Sequence, residues 1–236
     1  MPDKRKHRGA NPKDAELFDT KNMPILRLAA ADYSMLLSKD YPQTASLKLV
    51  GDKFKLKDRQ RLALMRSCCS QIQAAQRKSR EVPPDEVAGS EILIDGYNIL
   101  ITIEAALSSS FIFIGMDGCF RDLAGLHGTY RKVSETIPAI RLIDDCLAEL
   151  KVSQITWFLD KPVSNSGKLK KIIEQQTNAK AVLLDSPDKH LKISGKITAS
   201  SDSIILDNCK KWLNLARYVI VNKQLPAKLI DLSKYD

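Results

Sequence analysis

The chain has 236 residues, 44% of them hydrophobic, and its 37 Lys and Arg against 28 Asp and Glu give a net charge of +9. That supplies one large core and a smaller one, or two domains, and no apolar run approaches the roughly 20 residues that cross a bilayer. Five cysteines without paired zinc-type spacing, and a basic Met1 to Arg8 stretch with no apolar segment behind it, argue against a secreted, disulfide-framed protein and for a cytoplasmic one.

The charge is unevenly placed. Residues 1–90 hold 18 basic against 11 acidic side chains, a surplus of 7, and residues 91–236 hold 19 against 17, a surplus of 2. A basic N-terminal module predicts a polyanionic partner, most simply nucleic acid, with a solvated lysine-rich surface as the alternative. No membrane partner is expected, and the oligomeric state is left open, a homodimer included.

The first predicted helix starts at Lys21 or Asn22, carries Pro24 near its first turn, and places Leu26, Ala29, Ala30, Tyr33 and Leu37 at helical spacing. Pro42 and Gly51 bracket a second, Thr44 to Val50. From about Leu56 to Arg80 neither glycine nor proline interrupts an apolar stripe of Leu62, Met65, Cys69, Ile72 and Ala75, which predicts one long helix. Its arginines, Arg59, Arg61, Arg66, Arg77 and Arg80, would either grip phosphates or pair with acids such as Asp58. Vicinal Cys68 and Cys69 read as packing residues. Residues 81–90, with Pro83, Pro84 and Gly89, form the expected boundary between a basic helical domain (1–85) and an α/β domain (86–236).

Residues 91–98, Glu-Ile-Leu-Ile-Asp-Gly-Tyr-Asn, are the most informative segment. A short strand buried on both faces would hand Asp95 to the carboxyl edge of a parallel sheet, where open α/β sheets bind ligands; an isolated Asp there could equally cap the next segment. The apolar runs Ile99–Leu107 and Phe111–Ile114, separated by three serines, suggest a hairpin, with a helix through Glu104 to Leu107 as the alternative. The glycine-rich residues 115–131 form a polar loop too long for a mere connector. There Asp117 and Asp122 would complete a metal site, Arg121 and Arg131 would hold phosphate, and His127 reads as a structural hydrogen-bonding residue more readily than as a base.

Downstream the strand-to-acid layout repeats. A helix from about Ser134 to Leu150 precedes a strand ending in Asp160; Ser164, Asn165, Ser166 and Lys168 then open a helix, as an anion site or as an ordinary cap. Gly167-Lys168 lacks the earlier glycine and following Ser or Thr of a phosphate-cradling P-loop. A strand from Ala181 to Leu184 leads to Asp185 and Asp188, Asp202 stands where a helix through Trp212 should begin, and Tyr218–Val221 reads as a last strand. The β-α-β alternation predicts a parallel sheet with helices on both faces and a smaller all-α N-terminal domain. Carboxylates crowded on one sheet edge call for cations, so magnesium or manganese is expected on Asp95, Asp160 and Asp202, with Asp117 or Asp122 assisting and Asn98 and Ser201 orienting substrate.

Strand-Asp-Gly-Tyr-Asn at 91–98, the mid-domain Asp160 and Ser200-Ser201-Asp202 before a late helix together resemble the PIN/NYN superfamily of metal-dependent nucleases over about residues 90–222. The whole chain resembles a mainly archaeal family that joins a basic helical domain of unknown function to such a PIN-like domain. The resemblance implies a Rossmann-like three-layer fold and an endonuclease acting on RNA before DNA. One departure stands out, since the Ser-Gly-Asp-x-Asp usual after a late strand is missing beyond Tyr218. A catalytically degenerate nucleic-acid-binding module or ribonucleoprotein subunit is therefore the rival expectation. A dehalogenase-type phosphatase would need an acid two residues after Asp95, and Tyr97 stands there.

Overall fold

Before its first strand the chain is helical. The computed structural model, which describes residues 7–8, 11–126 and 128–233, shows α1 (Asp14–Leu17), α2 (Met23–Ser38), α3 (Gln43–Lys53), α4 (Asp58–Ser67) and α5 (Gln71–Arg80). Pro24 stands in the first turn of α2, where its missing N–H has no intrahelical partner to lose. The single helix predicted over Leu56–Arg80 is instead two. Cys68 leaves α4 in an extended conformation. Ser70 then caps α5: its hydroxyl accepts from the Gln73 N–H at 3.2 Å while the Gln73 side chain accepts the Ser70 N–H at 3.1 Å. A capping box thus interrupts a run whose apolar spacing looks continuous.

The chain then alternates through β1 (Glu91–Asp95), α6 (Gly96–Leu107), β2 (Phe111–Ile114), β3 (Phe120–Arg121), α7 (Thr136–Glu149), β4 (Gln154–Asp160), α8 (Ser166–Gln176) and β5 (Lys180–Leu184). It continues through α9 (Pro187–Ile193), β6 (Ile197–Ala199), α10 (Ser203–Asn208), β7 (Lys211–Leu213), α11 (Leu215–Asn222) and β8 (Lys228–Asp231). Five strands form a parallel sheet in the order β5-β4-β1-β6-β7. Because side chains alternate along a strand, Ile92 and Ile94 of β1 pack with Ile99, Ile140, Ile173 and Val219 from α6, α7, α8 and α11. Leu93 points the other way, to Phe158, Trp212 and the α9 and α10 residues Leu191 and Ile205. The fold class is α/β with a parallel sheet flanked by helices, together with an N-terminal helical region.

Three other expectations are corrected. Ile99–Leu107 is helix α6 and no hairpin arm, because Gly96 starts the helix immediately after β1; a Cβ at Gly96 would lie 2.8 Å from the Phe158 carbonyl and 2.5 Å from Leu159. The predicted helix from Asp202 through Trp212 ends at Asn208, and Trp212 is the middle of β7, with its indole buried. Tyr218–Val221 is part of helix α11, whose Leu215, Ala216, Val219 and Ile220 repeat at helical spacing and are buried. The apolar β-branched run that reads as a strand owes its helicity to that packing.

A second sheet, in the order β3-β2-β8, binds the two regions together. Phe113 of β2 and Ile230 of β8 share a core with Phe18, Leu26, Tyr33 and Leu64 of the N-terminal helices. After α5 the chain also joins the main sheet: Glu81 bridges to Trp212 in parallel, and the Val82 N–H donates to the Trp212 carbonyl at 2.8 Å. Among the described residues no helix is long and apolar enough to cross a membrane.

Candidate active site

The connections leaving β1 and β6 diverge: β1 leads toward β4 and β6 toward β7, on opposite sides of the sheet. Such a switch point leaves a crevice beyond the carboxyl ends of the strands, and Asp95 ends β1 beside the Ser200-Ser201-Asp202 segment that comes after β6. The Ser200 hydroxyl donates to Asp95 Oδ2 at 2.7 Å, and Oδ1 accepts no hydrogen bond among the described residues. Asp95 is buried, and that burial pushes its pKa up to about 7, helped by the charges of Asp202, Asp188 and Asp160 and opposed by the Ser200 hydrogen bond. The Asp160 carboxyl is also raised, by burial and by Asp188. Among the described residues no Lys or Arg pairs with Asp95, Asp160, Asp188 or Asp202.

Asn98 and Ser201 are joined across this crevice. Asn98 Oδ1 accepts from both the Ser201 N–H, at 2.8 Å, and its hydroxyl, at 2.7 Å. Asp202 is the N-cap of α10, its Oδ1 accepting from the Ile204 and Ile205 N–H groups at 2.8 and 3.1 Å. The acid thus holds one oxygen on its helix, and its residue lines the cleft with Asp95 and Asp188. Tyr97 lines the same cleft, and its buried hydroxyl has no hydrogen-bond partner among the described residues. The cleft has a volume of about 500 Å³, and its other wall includes Gln43, Met65 and Arg66 from the helical region.

The candidate residues of the 115–131 loop are placed differently. Asp117 is taken up by arginines: Arg121 donates to its two oxygens at 2.8 and 2.6 Å, and Arg77 of α5 donates at 2.7 Å. Burial alone would raise the Asp117 carboxyl, but these two guanidinium groups hold it well below the usual carboxylate range. Arg121 lines the cleft, and its Nε donates to the Ser201 carbonyl at 2.7 Å, so it also braces the site loop. Asp122 lines the cleft, but its Oδ2 accepts from Thr102 at 2.7 Å and its Oδ1 from the Ala124 N–H at 2.6 Å. Arg131 is exposed, and its carbonyl accepts from Arg8. His127 lies outside the described residues.

The start of α8 is a separate feature. Asn165 adopts a left-handed conformation (φ 71°) before the helix and donates to the Tyr130 carbonyl, and Ser166 is buried with its hydroxyl on the Lys161 carbonyl. Ser164 and Lys168 are exposed, and none of the four lines the acid cleft. Sequence reasoning misses the helical-region wall, and it names Asp188 among the strand-end acids without assigning it to the site to which Pro187 and α9 carry it. Asp188 has one visible signal, its position just beyond a strand that already ends in an acid.

Arg77 connects the regions. Besides Asp117 it donates from Nε and Nη2 to the two oxygens of Asp207 in α10, at 2.7 and 3.0 Å, while Trp212 Nε1 donates to the Arg77 carbonyl at 2.7 Å. A buried chain of contacts therefore runs Arg77–Asp117–Arg121–Ser201–Asn98 from the helical region to the cleft.

The chemistry of the donor set suits a hard divalent cation, since carboxylate oxygens and one unpaired buried acceptor face an acidic cleft. Among the described residues no group of three or more His, Cys, Asp or Glu side chains is gathered closely enough to hold a metal ion.

Residues 84–218 match the family model described as a domain of unknown function (DUF5616), and residues 25–80 match that of a protein of unknown function (DUF434). An uncharacterized protein of Methanocaldococcus jannaschii is 29% identical over 196 residues, which cover 79% of this chain and 92% of that one. No solved structure matches.

Proposed function

We propose that this chain, which belongs to the DUF5616 family, is a PIN/NYN-like metal-dependent nuclease that cleaves phosphodiester bonds, in RNA before DNA. The observation that carries this reading is Asp95: a buried carboxylate at the switch point, with three further aspartates raising its pKa and no basic partner among the described residues. A group so placed is costly to keep charged unless a cation joins it.

Magnesium or manganese, when bound, would supply an activated water and neutralise charge on the phosphate. Asp95 would hold the ion through its unpaired Oδ1, with Asp202, Asp188 or Asp160 contributing through water or directly. Asn98, tied to Ser201, keeps the loop after β6 at a fixed position beside Asp95. Asp117 and Arg121 support that loop through its carbonyl and do not belong to the metal set. RNA is preferred on the strength of the PIN/NYN resemblance, and the basic surplus of residues 1–90 supports a polyanionic substrate.

The lack, among the described residues, of any group of three or more His, Cys, Asp or Glu side chains able to hold a metal ion favours a second reading, a nucleic-acid-binding module without turnover. Labelled single-stranded and structured RNA and DNA, incubated with manganese, magnesium or EDTA, separate the two. Metal-dependent cleavage that disappears in Asp95→Asn is the expected result. Salt-sensitive binding without cleavage in any metal would establish the second reading instead.

A further inference from the structure

Resting on the nuclease reading above, we propose that the helical region holds an unpaired nucleobase of the substrate in a second cavity adjoining the acid cleft. This cavity, of about 460 Å³, lies between the end of α2, the start of α5 and α10. Gln43, Ser203 and Ile204 line both it and the acid cleft, so the two spaces adjoin across these side chains. Ser203 directly follows Asp202, which places this shared wall beside the proposed metal site.

The lining decides what kind of group fits. Tyr41, Ile72 and Ile204 are 56, 65 and 57% exposed, three large apolar side chains around one opening. Apolar surface concentrated in this way points to a ligand. The charges in the cavity exclude a phosphate from it. Arg77 and Asp207 are locked to each other, and the remaining charged residue, Asp40, carries a carboxylate with no partner among the described residues. A phosphate would meet Asp40 with no unpaired cation to offset it. A neutral planar group with N–H donors meets both demands, stacking on Tyr41 and donating to Asp40.

The turn that presents these two residues is fixed. Asp40 adopts a left-handed conformation (φ 59°), its N–H donates to the Leu37 carbonyl, and the Tyr41 N–H donates to the Leu36 carbonyl, both at 3.1 Å. The cavity is therefore built from the end of a helix and needs no loop to close. A strand whose phosphate lies at Asp95 and whose base turns into this cavity must be unpaired, so duplex is excluded as the occupant.

Fluorescence anisotropy on the full chain tests this, with labelled short RNA as single strand and as duplex, in EDTA to prevent cleavage. The single strand is expected to bind at least about tenfold tighter than the duplex. Tyr41→Ala should weaken single-strand binding by about 5- to 100-fold, as loss of a stacking aromatic does, and Tyr41→Phe should restore it. Equal binding of both forms, unchanged binding by Tyr41→Ala, or no binding of RNA at all would overturn the proposal. Calorimetric titration with manganese keeps the two ideas apart. If the wild type and Tyr41→Ala bind manganese and Asp95→Asn does not, an unaltered RNA affinity in Tyr41→Ala sinks the base pocket alone. If the wild type binds no manganese but RNA binding still depends on Tyr41, the metal reading fails and the pocket stands.

Discussion

Asn98 Oδ1 receives two hydrogen bonds from one residue, the Ser201 N–H at 2.8 Å and the Ser201 hydroxyl at 2.7 Å. One side chain on the first turn of α6 thereby fixes the loop after β6. Asn98→Ala leaves both donors without their acceptor, an expected cost of about 1–3 kcal/mol in urea denaturation. Cleavage should fall far more than stability, because the loop that carries Asp202 is released. A variant with lowered stability and full cleavage would contradict the bracing role.

Stability should depend on pH through Asp95. Its pKa rises from the ordinary carboxylate value to about 7 on folding, so between those values the folded state binds more protons than the unfolded one. Stability is then greatest at the acidic end and falls as pH rises toward 7, by at most about 1.4 kcal/mol per pH unit for one group. Urea midpoints from pH 5 to 8 in EDTA should show this decline, and Asp95→Asn should flatten it. Manganese should stabilise the wild type increasingly over the same range, since metal and proton compete for one carboxylate.

Removing Arg77 should be among the most destabilising single changes. Its guanidinium is buried between Asp117 and Asp207, and Arg77→Met takes a charged partner from each acid for a cost of about 3–5 kcal/mol. Asp117 would keep Arg121 but lose half its neutralisation. Denaturation measures the loss, and a fall in manganese affinity would show that it reaches the cleft. A change below about 1 kcal/mol would mean that water replaces the guanidinium.

Asp202 combines a helix cap with a cleft charge, and two substitutions separate them. Asp202→Asn keeps an oxygen for the Ile204 and Ile205 N–H groups and should leave stability nearly unchanged while cleavage drops. Asp202→Ala should lose cleavage and about 1 kcal/mol of stability as well. Full activity in Asp202→Asn would remove this acid from the proposed metal set.

In the sequence β1, β4 and β5 are legible because each is an apolar run that ends in an acid, and Asp95 and Asp160 are visible for the same reason. The shortest strands are not. β6 and β7 have three residues each, too few for a period to emerge, and Trp212 in β7 looks like a helix residue. Tyr218–Val221 misleads because four apolar residues in a row fit either structure, and α6 and α7 decide between them. Arg77 and Asp117 are 40 residues apart, and no local pattern announces that an arginine on an exposed-looking helix is a buried counterion.

The bond from Val82 N–H to the Trp212 carbonyl has a practical consequence. The stretch that looks like a linker shields the outer strand of the main sheet. A truncated protein starting at residue 84 would present Trp212 and the open rim of β7 to solvent, inviting intermolecular strand pairing. Such a fragment should come out of the cell as aggregates, and shortening the chain at its most obvious joint is the wrong way to prepare it.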